Sequence, residues 1–323
     1  MKRVILWAVA AAMMCGCEKE IVSEGTAVKT AGTVASDVKT KKFTFTMKGD
    51  FSEAWKGDGI AGQRTEQRAG NRAGEPLGTG MTARRTVGYL SADGKDMTDV
   101  WVLDYMNGEL VQQVHQSDNT AEDFGRPVMQ LAYGAHHVYF IASRGTGPDM
   151  NISEHRLTWE KVSDTFYKDY EVNVVATSNG NRAVTLERVV TKLRLTFTDA
   201  IPDNAATINI TPATWYKGLD YVTGEPCAVA ENQTTTINIP STSIGQTGVQ
   251  ASMFSVSTAT EWTTDVTISS KTSADAVLGT ATLTAVPLKA NRVSDYSGPL
   301  FSAGGSMTLS LNGEWADSYE GTW

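Results

Sequence analysis

Basic residues, histidines and cysteines are all scarce in this chain, and each scarcity narrows what it can be. Lys and Arg number 28 against 36 Asp and Glu, a formal net charge of −8. The broad positive field that backbone-driven DNA or RNA binding requires is missing, so no nucleic-acid partner is expected. There are four histidines, His115, His136, His137 and His155. His136 and His137 are neighbours, so a strand turns them to opposite faces and they cannot share a metal ion. Of the three cysteines, only Cys227 lies beyond residue 17. No disulfide framework can form there, and stability has to come from buried apolar surface. Cys227 itself, at the edge of an apolar stretch, reads as a small, partly buried hydrophobe. After residue 17 no apolar run reaches the length of a membrane-spanning helix, and no long amphipathic helical period is present. That argues against doubly wound and α/β-barrel folds. Neither a glycine loop followed by Lys-Ser/Thr nor a G-x-S-x-G elbow occurs, so no cofactor and no catalytic role are expected. The acidic run Asp93-Gly94-Lys95-Asp96, with Asp99 beyond it, lacks the oxygen spacing of a calcium loop and reads as a solvated turn. No metal site is expected.

What the chain has in quantity is threonine, 40 residues of 323, with hydrophobic residues at 41%. β-branched side chains lose rotamer freedom in a helix and suit a pleated, half-solvated surface, so the chain is expected to be all-β. The apolar content is enough for packed cores. In Lys42-Phe43-Thr44-Phe45-Thr46-Met47 strict alternation places Phe43, Phe45 and Met47 on one strand face. Met106-Asn107-Gly108 between two apolar runs predicts a hairpin with a type I′ turn. Ala132-Tyr133-Gly134, between Val128–Leu131 and His137–Ala142, predicts a second hairpin. Leu193, Leu195 and Phe197 alternate with Lys192, Arg194 and Thr196, a strand with one wet face. Further short apolar runs follow at Thr207–Ile210, Thr234–Ile239, Ser252–Val256, Val266–Ser269, Thr280–Ala285 and Ser306–Leu311, punctuated by Gly, Pro, Asn and Ser. That spacing predicts antiparallel β-sandwiches.

The first residues concern location. Lys2 and Arg3 precede an uncharged run to Met14, too short to span a bilayer, which ends in Met14-Cys15-Gly16-Cys17. This resembles a bacterial lipoprotein signal, with residues 1–16 removed and Cys17 lipidated. Removal of Lys2 and Arg3 leaves 26 basic and 36 acidic residues, a balance of −10. Residues 17–41 read as a flexible tether. The N-terminal sandwich is then expected over 42–185 and the C-terminal one over 186–323. Inside the first, the stretch 56–85 carries Arg64, Arg68, Arg72, Arg84 and Arg85 with almost no large apolar residue. A loop so long inside a compact domain needs a functional reason.

Aromatic residues gather at Trp215-Tyr216 and at Trp315, Tyr319 and Trp323. Stacked rings can bind the apolar faces of sugars, or they can plug the ends of a sandwich. Taken with Arg188-Val189-Val190-Thr191-Lys192-Leu193, Asp199-Ala200-Ile201-Pro202 and Val286-Pro287-Leu288-Lys289-Ala290-Asn291-Arg292 followed by Gly298-Pro299-Leu300-Phe301, these features resemble the fimbrillins, the type V pilus subunits of Bacteroidota. The resemblance implies two transthyretin-like, Greek-key β-sandwich domains in tandem. It also implies export as an outer-membrane lipoprotein exposed on the cell surface, and other fimbrial subunits as partners. Maturation by an arginine-specific protease is part of the same implication. A cut at Arg84-Arg85 would release the strand bearing Phe43, Phe45 and Met47, and a strand from another subunit would take its place. The bottom-up logic agrees, because a lost strand unmasks unpaired backbone groups beside an apolar groove. The alternative is a monomeric surface lipoprotein that binds polysaccharide, of host or bacterial surfaces, through Trp315, Tyr319 and Trp323.

Overall fold

The computed structural model describes residues 38–49, 88–89, 97–302 and 307–314. The described residues form twenty strands and one short 3-10 turn. Up to Arg188 the strands are β1 (Thr40–Gly49), β2 (Gly88–Tyr89), β3 (Asp99–Met106), β4 (Glu109–Gln116), β5 (Val128–Ala132), β6 (Gly134–Ser143), β7 (Asp149–Asn151), β8 (Arg156–Thr158), β9 (Thr165–Val174) and β10 (Asn181–Arg188). Beyond it come β11 (Val190–Phe197), β12 (Ala205–Pro212), β13 (Thr214–Asp220), β14 (Glu225–Glu231), β15 (Thr235–Asn238), β16 (Val249–Val256), β17 (Trp262–Thr272), β18 (Val277–Leu288), β19 (Arg292–Gly298) and β20 (Thr308–Glu314).

Eight of the ten strands of the first half form one sheet, ordered β2-β1-β10-β9-β6-β3-β4, with β5 also on β1. It curls over a single core in which Phe43, Phe45 and Met47 of β1 meet Val100 and Val102 of β3, Phe140 of β6 and Val172 of β9. The second half is a sandwich of two four-stranded sheets, β16-β11-β19-β20 and β15-β12-β17-β18. Leu193, Leu195 and Phe197 face Ile208, Ile210, Val266 and Ile268 across its core. Leu193, Leu195 and Phe197 point inward and Arg194 and Thr196 stay half-exposed, as alternation predicts. Lys192, on the expected wet face, is instead buried at 3% with its Nζ over the Phe254 ring, because that end of the strand is covered by the junction core. In each half one pair runs parallel, β1 with β10 and β11 with β19, among otherwise antiparallel neighbours.

A fourth sheet, β14-β13-β8-β7, takes strands from both halves. Its inner face joins Leu157, Leu219 and Tyr221 to Tyr105 and Tyr139 on the first sheet and to Phe254, Val256 and Val293 of the sandwich. The two halves are therefore joined by a core rather than by a linker. Position 185/186 lies inside β10, and the chain changes sheets at Val189. Tertiary pairing decides this point: Glu187 and Arg188 still pair with Tyr167 and Phe166 of β9.

The Asn107-Gly108 hairpin forms as read, with Met106 opposite Glu109 and φ of 55° and 82° at the two turn residues. The second predicted hairpin does not form. β5 pairs with β1, whereas β6 pairs with β3 and β9. The bend comes at Gly134, whose φ of 138° only glycine tolerates well, and there the chain passes from a strand paired with β1 to one paired with β3 and β9. Asp99, read as lying beyond a solvated turn, is a buried residue at the start of β3, where its Oδ2 meets His115 Nε2 at 2.7 Å.

Candidate functional site

β1 combines deep burial with a long sequence separation from β3, the next long strand of its core. Its alternation carries Phe43, Phe45 and Met47 to 0% exposure. Phe45 makes edge contacts with Phe140 at 5.1 Å and Tyr170 at 6.1 Å between centroids. Both edges of the strand are hydrogen-bonded. On one side Thr40–Thr44 pair with β5, and the ladder continues where Phe45 N–H donates to Pro127 O at 3.0 Å and Met47 N–H to Gly125 O at 3.4 Å. On the other side Thr44–Gly49 run parallel to Asn181–Leu186 of β10, and Thr44 N–H donates to Gly180 O at 2.7 Å. Gly180 permits that approach, since a Cβ there would lie 2.4 Å from Lys42 O. β1 thus fills a slot between β5 and β10. Burying three such side chains stabilises the fold by on the order of 5 kcal/mol or more, comparable to the whole stability of a domain.

The slot is closed at the entry of β1 by the corner between β5 and β6. Tyr133 N–H donates to Lys39 O at 3.0 Å, and Ala132 stands opposite Thr40. His136 sits just beyond, on the core side of β6. Its Nδ1 is 2.7 Å from Asp104 Oδ1 and its Nε2 is 2.9 Å from Ala132 O. Sequence reading missed this pair, although it held a signal: Asp104 continues the inward series Val100, Val102, and a carboxylate at a core position requires a partner. His137 turns to the outer face, as alternation predicts, where it meets Asp169 and Glu171 of β9 with ligand atoms within 4.8 Å of one another. That trio is exposed or half-exposed, and nothing else around it points to an ion.

The three segments that carried the family resemblance meet in space. Arg188 donates to both oxygens of Asp164, from Nε at 2.7 Å and Nη2 at 3.3 Å, and from Nη1 to Asn291 Oδ1 at 2.9 Å. Arg144 joins Asp164 from the other side at 3.1 Å, and both guanidiniums lie over the Phe166 ring. Asp199 accepts the backbone N–H groups of Leu300, Phe301 and Ser302 at 3.1, 2.7 and 2.9 Å. These contacts fix the junction and the late turn, and they describe a structural network rather than a reactive one.

The aromatics that could meet a sugar divide. Trp215 is buried, its Nε1–H donating to Phe254 O at 2.7 Å, and Tyr216 packs edge-on against Trp262 at 5.1 Å. Trp215 therefore plugs the junction, where it lines a hollow of about 460 Å³ with Met253, Phe254 and Lys217. Cys227 is partly buried in β14, and burial pushes its thiol pKa up, away from reactivity. Cys17, Arg84, Arg85, Trp315, Tyr319 and Trp323 lie outside the described residues.

No protein-family model and no curated protein matches the chain. Among solved structures it is similar to a proposed adhesin of Bacteroides ovatus, with a TM-score of 0.48 at 10% identity over 86% of this chain and 95% of that one. A C-terminally truncated tip fimbrial protein of Porphyromonas gingivalis gives 0.42 at 11% identity, covering 84% and 99%. A fimbrial assembly protein of Parabacteroides distasonis gives 0.45 at 9% identity, covering 85% and 97%.

Proposed function

We propose that this chain is a non-enzymatic fimbrial subunit or fimbria-associated adhesin, exported as a lipoprotein through Cys17 and displayed at the outer cell surface. In this reading an arginine-specific protease cuts at Arg84-Arg85, β1 leaves, and a strand from another subunit enters the slot. The observation that carries the proposal is β1 itself: three fully buried apolar side chains, hydrogen-bonded along both edges, on a strand joined to β3 through the arginine-bearing sequence. An empty slot exposes apolar surface together with unpaired donors and acceptors, and an extended strand satisfies both at once.

The test is to treat the purified precursor with an arginine-specific protease and run the product under mild denaturation. The expected result is a mature chain starting at Thr86 and a ladder of denaturant-resistant oligomers. A cut product that stays monomeric, with the β1 fragment still bound, would overturn strand exchange.

A further inference from the structure

We propose that the buried His136–Asp104 pair is a proton-held latch on the corner between β5 and β6, so that the grip on β1 loosens when the pair gives up its proton in alkaline solution. Both side chains are sealed, with the imidazole at 0% and the carboxylate at 1% exposure. Ala132 O can only accept, so Nε2 carries a proton. A second proton lies between Nδ1 and Asp104 Oδ1, whichever atom formally holds it. Two protons thus satisfy three groups. With one removed, a ring-nitrogen lone pair faces either the Ala132 carbonyl or the Asp104 carboxylate, in a place no water reaches. Among the described residues no donor reaches Asp104 Oδ2, so none of them offers the carboxylate a second hydrogen bond.

Among the described residues, the surroundings offer no other charge to absorb the change. Val172 of β9 stands opposite His136, Gln112 of β4 opposite Asp104, and Leu131 of β5 lies in the same core. His137, Asp169 and Glu171 occupy the other face of β6 and β9. At the start of β1, Lys41 reaches Ala176 O and Lys42 is exposed. Among the described residues Asp104 is the charge that acts on His136. Burial pulls the imidazole pKa down, but the hydrogen bond and charge of Asp104, with the hydrogen bond to Ala132 O, together outweigh it and the net direction is up. Burial pushes the Asp104 pKa up, against the His136 hydrogen bond. The folded pair therefore binds its proton more tightly than the unfolded chain. Its contribution is complete below the ordinary imidazole value of 6.5 and is lost as pH rises through the raised folded value.

The latch reaches β1 through backbone. The carbonyl held by Nε2 belongs to the residue opposite Thr40, and the next amide, Tyr133 N–H, bonds Lys39 O. As a control on strand exchange the latch rests on the function proposed above, but its chemistry is testable on uncut protein.

Amide exchange of Phe43–Met47 and Val128–Ala132 is followed across roughly pH 6 to 10, corrected for intrinsic rates, alongside the imidazole nitrogen shifts of His136. Protection in both segments should fall about tenfold or more as His136 deprotonates, while Val266–Ile268 in the second core stays constant. The Asp104→Asn variant separates latch from scaffold. Its side-chain N–H donates to a neutral Nδ1 while Nε2–H still reaches Ala132 O, so the variant should fold and lose the pH dependence. Unchanged protection while His136 titrates, no titration of His136 in the range, or the same pH profile in Asp104→Asn would each overturn the latch. None of these results bears on whether cut protein forms ladders.

Discussion

Asp199 shows how much a single side chain organises here. Burial alone raises its pKa, but the backbone N–H groups of Leu300, Phe301 and Ser302 outweigh that and hold it below the ordinary 3.8. A depressed folded value means the stabilisation is present above the unfolded value and is lost as pH falls through the folded one. Asp199→Ala should therefore lower stability near neutral pH by about 1 kcal/mol, the low end for hydrogen bonds to a charged group because the site is half-exposed. Denaturant unfolding at neutral pH and below pH 3.8 checks this, the gap between wild type and variant closing in acid. The residues of this clamp stood in the sequence as Asp199-Ala200-Ile201-Pro202 and Gly298-Pro299-Leu300-Phe301, but not the contact between them, which closes across about a hundred residues. Arg188 and Asp164, 24 residues apart, likewise carry no sign of their pairing, and for Asp104 alternation marks a core carboxylate but not its partner His136, 32 residues on. A pairing set by distant register leaves no local period to read.

Strands were legible where local chemistry dictates them. Alternation placed Phe43, Phe45, Met47 and Leu193, Leu195, Phe197 on inward faces, and Asn107-Gly108 specified its turn because both residues tolerate positive φ. Ala132-Tyr133-Gly134 bears a similar local signature, yet its flanking strands pair elsewhere. Which strand β5 joins is decided by the apolar slot beside β1, a property of the assembled core. The two glycines separate these cases experimentally. Gly108, at φ 82° with open space around a Cβ, sits near the left-handed well, so Gly108→Ala should cost about 1 kcal/mol. Gly134, at φ 138°, lies far outside that well, and a Cβ there would also press on Met106 Cε, a flexible chain end that can yield. Gly134→Ala should cost more, about 2 kcal/mol, almost all of it backbone strain. Equal midpoint shifts in urea would contradict this reading of the corner.

At the scale of the molecule, the shared sheet β14-β13-β8-β7 and the Arg188 network tie the two halves together, while β1 is the piece of the first core that the described fold holds without a short covalent link. If the proposed strand exchange operates, the slot rather than the junction is where a partner strand would enter. A peptide of the β1 sequence, Thr40–Gly49, should therefore occupy the slot of protease-cut protein and suppress oligomer ladders in proportion to its concentration. Peptide carrying Phe45→Asp should not, because position 45 is fully sealed against Phe140 and Tyr170 and would bury an unpaired carboxylate. Thr46→Asp separates apolar burial from general strand propensity, since Thr46 alternates to the other, half-exposed face and should leave most of the inhibition intact. Ladder intensity against peptide concentration measures all three. Equal inhibition by the Phe45→Asp and native peptides would mean that assembly uses a surface other than the β1 slot.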